Sequence, residues 1–90
     1  MKNLYKGKSV ASIEMITLEA VGEMIAQNRS KIRRKILYSN VGEQQELLLR
    51  EKMEELRLLK DGLFGTPYSE VLKIQQNINQ DIDDFIARVL

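Results

Sequence analysis

The segment Pro67-Tyr68-Ser69-Glu70-Val71-Leu72-Lys73-Ile74-Gln75-Gln76-Asn77-Ile78-Asn79-Gln80-Asp81-Ile82-Asp83-Asp84-Phe85-Ile86-Ala87-Arg88-Val89 is the most regular in the chain. At about 100° per residue, Val71, Ile74, Ile78, Ile82, Phe85, Ile86 and Val89 fall within roughly 120° of one helical face. Gln76, Asn77, Gln80, Asp81, Asp83 and Asp84 take the other side. This separation predicts an amphipathic helix over 67–89, with Asp84 and Arg88 as an i,i+4 ion pair. A helix of this length is marginal alone, so its apolar stripe needs partners.

The partners lie upstream. Asp61-Gly62-Leu63-Phe64-Gly65-Thr66-Pro67 reads as a turn, with Gly62 in the left-handed position past a helix end. Thr66 and Pro67 suit an N-cap and the first helical residue. Before the turn, Leu48, Leu49, Met53, Leu56, Leu59 and Leu63 form a second stripe, predicting a helix over 41–61. The short connection makes these two helices an antiparallel C-terminal hairpin. Arg50–Glu54 and Arg57–Asp61 are available as i,i+4 pairs. Leu47 and Leu58 lie nearly opposite that stripe, where they either touch the first helix, since the middle helix of three often packs two ways, or form a partner or dimer contact.

A weaker break at Tyr38-Ser39-Asn40-Val41-Gly42-Glu43 has the form of a capping box from Asn40 to Glu43. It ends a first helix over 12–38, whose stripe is Leu18, Val21, Ile25, Ile32 and Ile36. Ile13, Ile16, Ala20 and Met24 sit well around the same helix, which predicts burial on two sides over 12–26. Residues 1–9 are polar and glycine-containing, and are expected to fray. The reading is all-α: one helical domain over 1–90, of three helices.

Composition narrows the chemistry. The 90 residues are 43% hydrophobic, too apolar for a disordered chain, but a core of this size is thin. There is no Cys and no His. That removes disulfides, thiolate nucleophiles, the usual general base and the commonest metal ligands. No glycine-rich phosphate loop occurs. Asp81, Asp83 and Asp84 diverge around a helix, so they read as a solvated face and no metal or other cofactor is expected. No signal-peptide pattern or long apolar run appears, so a cytoplasmic protein without membrane insertion is expected.

Charge is divided unevenly. Residues 1–40 hold eight Lys or Arg against three Glu, whereas residues 41–90 hold six against ten acids. Arg29, Lys31, Arg33, Arg34 and Lys35 cluster at the end of the first helix, either as a solvated last turn or as a phosphate-binding patch. Thr17 to Ile36 also looks like a helix-turn-helix unit, with Gly22 at the helix contact, a turn near Ala26–Asn28 and Arg29–Ile36 as recognition helix. Ala26 stands where such turns favour Gly. No aromatic residue interleaves the cations, which disfavours stacking on single strands.

In the C-terminal half, Leu49-Arg50-Glu51-Lys52-Met53-Glu54-Glu55-Leu56 precedes Gly62-Leu63, and Glu70 to Asn79 follow. This arrangement resembles the small aspartyl-phosphate phosphatases of the phosphorelay that controls sporulation in Gram-positive bacteria. In that family a Leu-Arg-x-x-Met-x-x-Leu helix and a Gly-containing turn lead to a Ser-Gln-x-Leu-Asp helix. The resemblance covers about residues 46–86. It implies a helical hairpin and a response regulator as partner. Gln75 stands in place of the family's Ser and Asn79 in place of its acid, while Gln76 and Ile78 keep their type. Asn cannot ionise, so a binder is implied more than an active phosphatase. Shifting the register by four places Asp83 at the acid but spoils the spacing to the turn. A fainter likeness, to helical regulators of competence and biofilm formation, rests on the same third helix.

The functional expectation is therefore a non-catalytic regulatory protein acting through helix-mediated protein–protein contact. Leu47, Leu58, Gln75, Gln76, Asn79 and Gln80 are the expected partner-binding residues, and self-association as a homodimer is also expected for so thin a core. Should it be catalytic, it is a degenerate aspartyl-phosphate phosphatase. The alternative is DNA binding through Arg29, Lys31, Arg33, Arg34 and Lys35.

Overall fold

A computed structural model describes residues 10–90, of which 10–12 as backbone only. The chain forms α1 (Val10–Tyr38), α2 (Glu43–Asp61), a 3₁₀ turn (Leu63–Gly65) and α3 (Tyr68–Val89). The described residues contain no strand, and the fold is an all-α three-helix one. The stretch 1–9, expected to fray, lies outside the described residues.

The long helix α1 organises the bundle. Leu18, Val21, Ile25, Asn28 and Ile32 recur at alternating intervals of three and four, which keeps one stripe facing inward along an uninterrupted helix. The helix-turn-helix reading of 17–36 is thereby corrected: α1 runs straight through Gly22 and Ala26–Asn28. Nothing at 26–28 breaks a helix, and a turn there would separate Ile25 from Ile32, which share the core. Gly22 is buried, yet a Cβ built on it would lie 3.7 Å from Lys60 Cε and 4.0 Å from Leu63 Cδ2, ordinary contact distances.

Two sets of contacts fix the chain directions. Arg29 Nε donates to the Met53 carbonyl (3.1 Å), and Gly22 faces Leu63, so α2 runs antiparallel to α1. Thr17 pairs with Tyr68 (3.3 Å), Asn28 with Asn79 (2.9 Å) and Lys31 with Asp83 (2.8 Å), so α3 runs parallel to α1. Thr17 gives its only hydroxyl proton to the Ile13 carbonyl (3.1 Å), which leaves Tyr68 as the donor in their pair.

Val21, Ile25 and Ile32 of α1 meet Leu49, Leu56 and Leu63 on one side and Val71, Ile78, Ile82 and Ile86 on the other. The expected stripe of the third helix is thus buried or half-buried throughout. α2 and α3 form the expected antiparallel hairpin. Gln45 Nε2 donates to the Val89 carbonyl (3.0 Å), and Lys52 Nζ sits 4.8 Å from the Phe85 ring centre. Most of their packing is nevertheless against α1 rather than each other. An open groove floored by Leu56, Leu59, Ile74, Ile78 and Ile82 lies between them.

Several local expectations are corrected. Ile13 and Ile16 are about half exposed, so 12–26 is not buried on two sides; the α2–α3 turn meets α1 near Gly22 and α3 begins beside Thr17. Leu48 is likewise exposed, because its position turns it to the flank of the stripe. The cap of α2 is Gly42, not Asn40, and it lacks a side chain. Only the reciprocal half of a capping box forms, with the Gly42 N–H donating to Gln45 Oε1 (2.8 Å). Gly62 has φ −91°, outside the left-handed region, because the chain tightens into the 3₁₀ turn instead of reversing. Pro67 caps α3, while Thr66 Oγ1 donates to the Gly62 carbonyl (3.0 Å) and closes that turn.

Candidate functional site

α2 presents its outer face to solvent, opposite Leu49 and Leu56. Leu47 and Leu58 are 53% and 57% exposed there, which corrects the reading in which they touch the first helix. They are separated by 20° of rotation and about 16 Å of rise. Glu51 and Glu54 lie between them. Glu54 accepts from Arg57 Nε (2.9 Å) and Nη2 (2.6 Å), and Arg57 Nη1 also donates to Asp61 Oδ2 (2.9 Å). The Arg57 hydrogen bonds hold the Glu54 carboxyl below the usual carboxylate range, and Arg29 reinforces the shift from α1. Glu54 in turn raises the Arg57 guanidinium. The expected Arg50–Glu54 pair is replaced by Arg50–Glu46 (2.8 Å), since Arg57 already occupies Glu54.

The amide residues of α3 belong to a different surface. Asn79 accepts from Asn28 Nδ2 at the α1–α3 seam, and Gln75 lies half-buried one turn earlier. Gln76 and Gln80 are exposed, and Gln80 Nε2 donates to Asp84 Oδ1 (2.8 Å), displacing the expected Asp84–Arg88 pair. The six expected partner-binding residues therefore do not form one patch. Leu47 and Leu58 face outward from α2, whereas Asn79 faces α1.

The basic cluster divides as well. Arg29 is drawn inward to the Met53 carbonyl and Lys31 to Asp83, so both serve the bundle. Arg33, Arg34 and Lys35 are exposed, beside Leu37 (63%) and Tyr38 (81%). Leu37 and Tyr38 were not among the expected contact residues, although two large apolar side chains directly after a basic run mark a mixed surface.

Asn28 is the residue that periodicity alone passes over. It occupies the inward position between Ile25 and Ile32, is 2% exposed, and donates through Nδ2 to the Met24 carbonyl (2.8 Å) and to Asn79 Oδ1. Its Oδ1 is buried with no hydrogen-bond partner among the described residues. The signal in the sequence was the seven-residue gap in the apolar stripe, which a helix fills with one inward residue.

Among the described residues no three His, Cys, Asp or Glu side chains gather as a metal site. Asp81, Asp83 and Asp84 are exposed, with Asp83 tied to Lys31 and Asp84 to Gln80. Among the described residues no helix is long and apolar enough to cross a membrane. Compared with protein-family models, with curated proteins and with solved structures, the chain has no significant match.

Proposed function

We propose that this chain is a cytoplasmic, non-catalytic regulatory protein that binds another protein through the outer face of α2. The observation carrying this reading is the pair Leu47 and Leu58, each more than half exposed on the helix face turned away from the core. These two large apolar side chains, bracketing carboxylates, stand outside the core, and helix faces of this kind are read by partners at spaced apolar anchors. A response regulator is the partner class implied by the family resemblance, and it belongs to the same proposal.

The test places a photo-crosslinking amino acid at position 58 in the intact protein, in cells of its source, with position 73 on α3 as control. A discrete adduct from 58, absent at 73 and lost in Leu47→Glu, is expected. The far-ultraviolet signal of the Leu47→Glu protein stays helical. Equal adducts at both positions, or none at 58, overturn the assignment. Nucleic-acid binding is supported only by the exposed cations Arg33, Arg34 and Lys35. Retention of duplex DNA at low salt that Arg33→Glu with Arg34→Glu removes is its test.

A further inference from the structure

We propose that the outer face of α2 is covered by the outer face of α1 from a second copy of this chain, in a head-to-tail contact that rests on reading Leu47 and Leu58 as a contact surface. The two faces are opposite in charge and alike in spacing. On α2, Leu47, Glu51, Glu54 and Leu58 lie within about 60° of arc. On α1, the exposed Arg33, Arg34, Leu37 and Tyr38 lie at the last turns, within about 140°, with Arg33 and Leu37 turned outward and Arg34 and Tyr38 on the edge that borders Asp83 and Ala87 of α3.

Order along the helices matches too. An interval of eleven residues separates Leu47 from Leu58 and also Ala26 from Leu37. With α1 of one copy laid antiparallel on α2 of the other, a single register sets Leu37 against Leu47 and the small Ala26 against Leu58. The same register sets Arg33 opposite Glu51 and within one turn of Glu54, with Arg34 one residue out of step with Glu51. Pairing α2 with its own symmetry mate would instead oppose Glu51 and Glu54 to the same carboxylates, so a two-fold α2–α2 dimer is disfavoured. A net charge of only +1 leaves little repulsion between whole molecules.

Because the two faces differ, the contact is heterologous, and copies add successively instead of closing as a dimer. Light scattering of the full chain at about 0.02 M salt is expected to show a mass above one chain that rises with protein concentration, returning to one chain at about 0.5 M salt. Glu51→Lys with Glu54→Lys, and separately Arg33→Glu with Arg34→Glu, each weaken association about tenfold or more, with helical content unchanged by circular dichroism. Mixing the two charge-reversed proteins restores association, since each then meets its complement. The chain has no cysteine, so Leu37→Cys and Leu47→Cys proteins, mixed under oxidising conditions, report the register directly through a cross-chain disulfide.

A wild-type chain that stays monomeric at low salt overturns the proposal, as does wild-type-like association of either reversed protein or a mixture that fails to recover. Were the chain monomeric while the crosslinker at 58 still captured a different polypeptide, the partner-binding reading would stand and this one would fall.

Discussion

Asn28 sits where an aliphatic side chain would complete the α1 stripe, with its amide oxygen buried and unpartnered among the described residues. An unsatisfied buried acceptor costs about 1–3 kcal/mol, whereas its Asn79 partner is exposed and can return to water. Asn28→Leu is therefore expected to stabilise the fold by about 1–2 kcal/mol in urea unfolding, consistent with apolar replacement of buried polar groups. Asn79→Ala should lower stability by about 0.5–1.5 kcal/mol through loss of one hydrogen bond. If Asn28→Leu lowered the urea midpoint, the polar seam would be a net stabiliser. A lone buried Asn can also hold helices in register, and the relation of Asn28 to Asn79 recurs, within one residue, at Thr17–Tyr68 and Lys31–Asp83. Periodicity scored as apolar or polar treats Asn28 as an interruption, which hides its inward place and allows a turn at 26–28 as the alternative to a continuous helix.

At the scale of an element, α2 shows how helical spacing can be legible while pairings are not. Its inward residues Leu49 and Leu56, continued by Leu63 in the turn that follows, fit a seven-residue repeat that only one side of a helix can satisfy. Its ion pairs do not follow in the same way, because Arg57 can reach Glu54 as well as Asp61 and by doing so sends Arg50 back to Glu46. Spacing supplied all these options, and only rotamers chose among them. The lowered Glu54 carboxyl makes a signed prediction. A group more acidic when folded stabilises the fold above its unfolded pKa, and that contribution is lost as pH falls through the folded value. In a carbon-13 titration the Glu54 midpoint should lie below its value in the urea-unfolded chain, and Arg57→Gln should raise it. Since both side chains are at the surface, Arg57→Gln is expected to leave the thermal midpoint almost unchanged at neutral pH. A midpoint equal in folded and unfolded chains would contradict the pairing.

For the whole molecule, helix number and type were legible, and so were the stripe of α3 and the direction of the hairpin. Which helix sits in the middle was not. Chain order suggested that α2 is packed on both sides, whereas α1 holds α2 and α3 together and those two have limited contact of their own. The reason is length: twenty-nine residues of α1 span about 44 Å, enough to support both shorter helices along their whole extent. A fragment of residues 41–90 is accordingly expected to lack a cooperative unfolding transition and to regain one when a peptide of residues 10–40 is added. Cooperative melting of the fragment alone would show that the hairpin holds its own core. The proposed contact surface is legible only in part, because Leu47 and Leu58 announce themselves by breaking a stripe, while the exposure of Leu37 and Tyr38 depends on where α2 and α3 lie.

The parallel run of α1 and α3 has a mechanical side. The start of α1 and the end of α3 stand at opposite poles of the bundle, so tension applied between those two points slides one helix along the other. Thr17–Tyr68, Asn28–Asn79 and Lys31–Asp83 then bear the load together, in shear, instead of opening one after another like a zip. Pulling between the start of α1 and the end of α2 begins at a different geometry, because those ends lie near the same pole and α2 peels away turn by turn. The same bundle is thus stiff along one pulling axis and compliant along another, a directional response set by the orientation of its third helix.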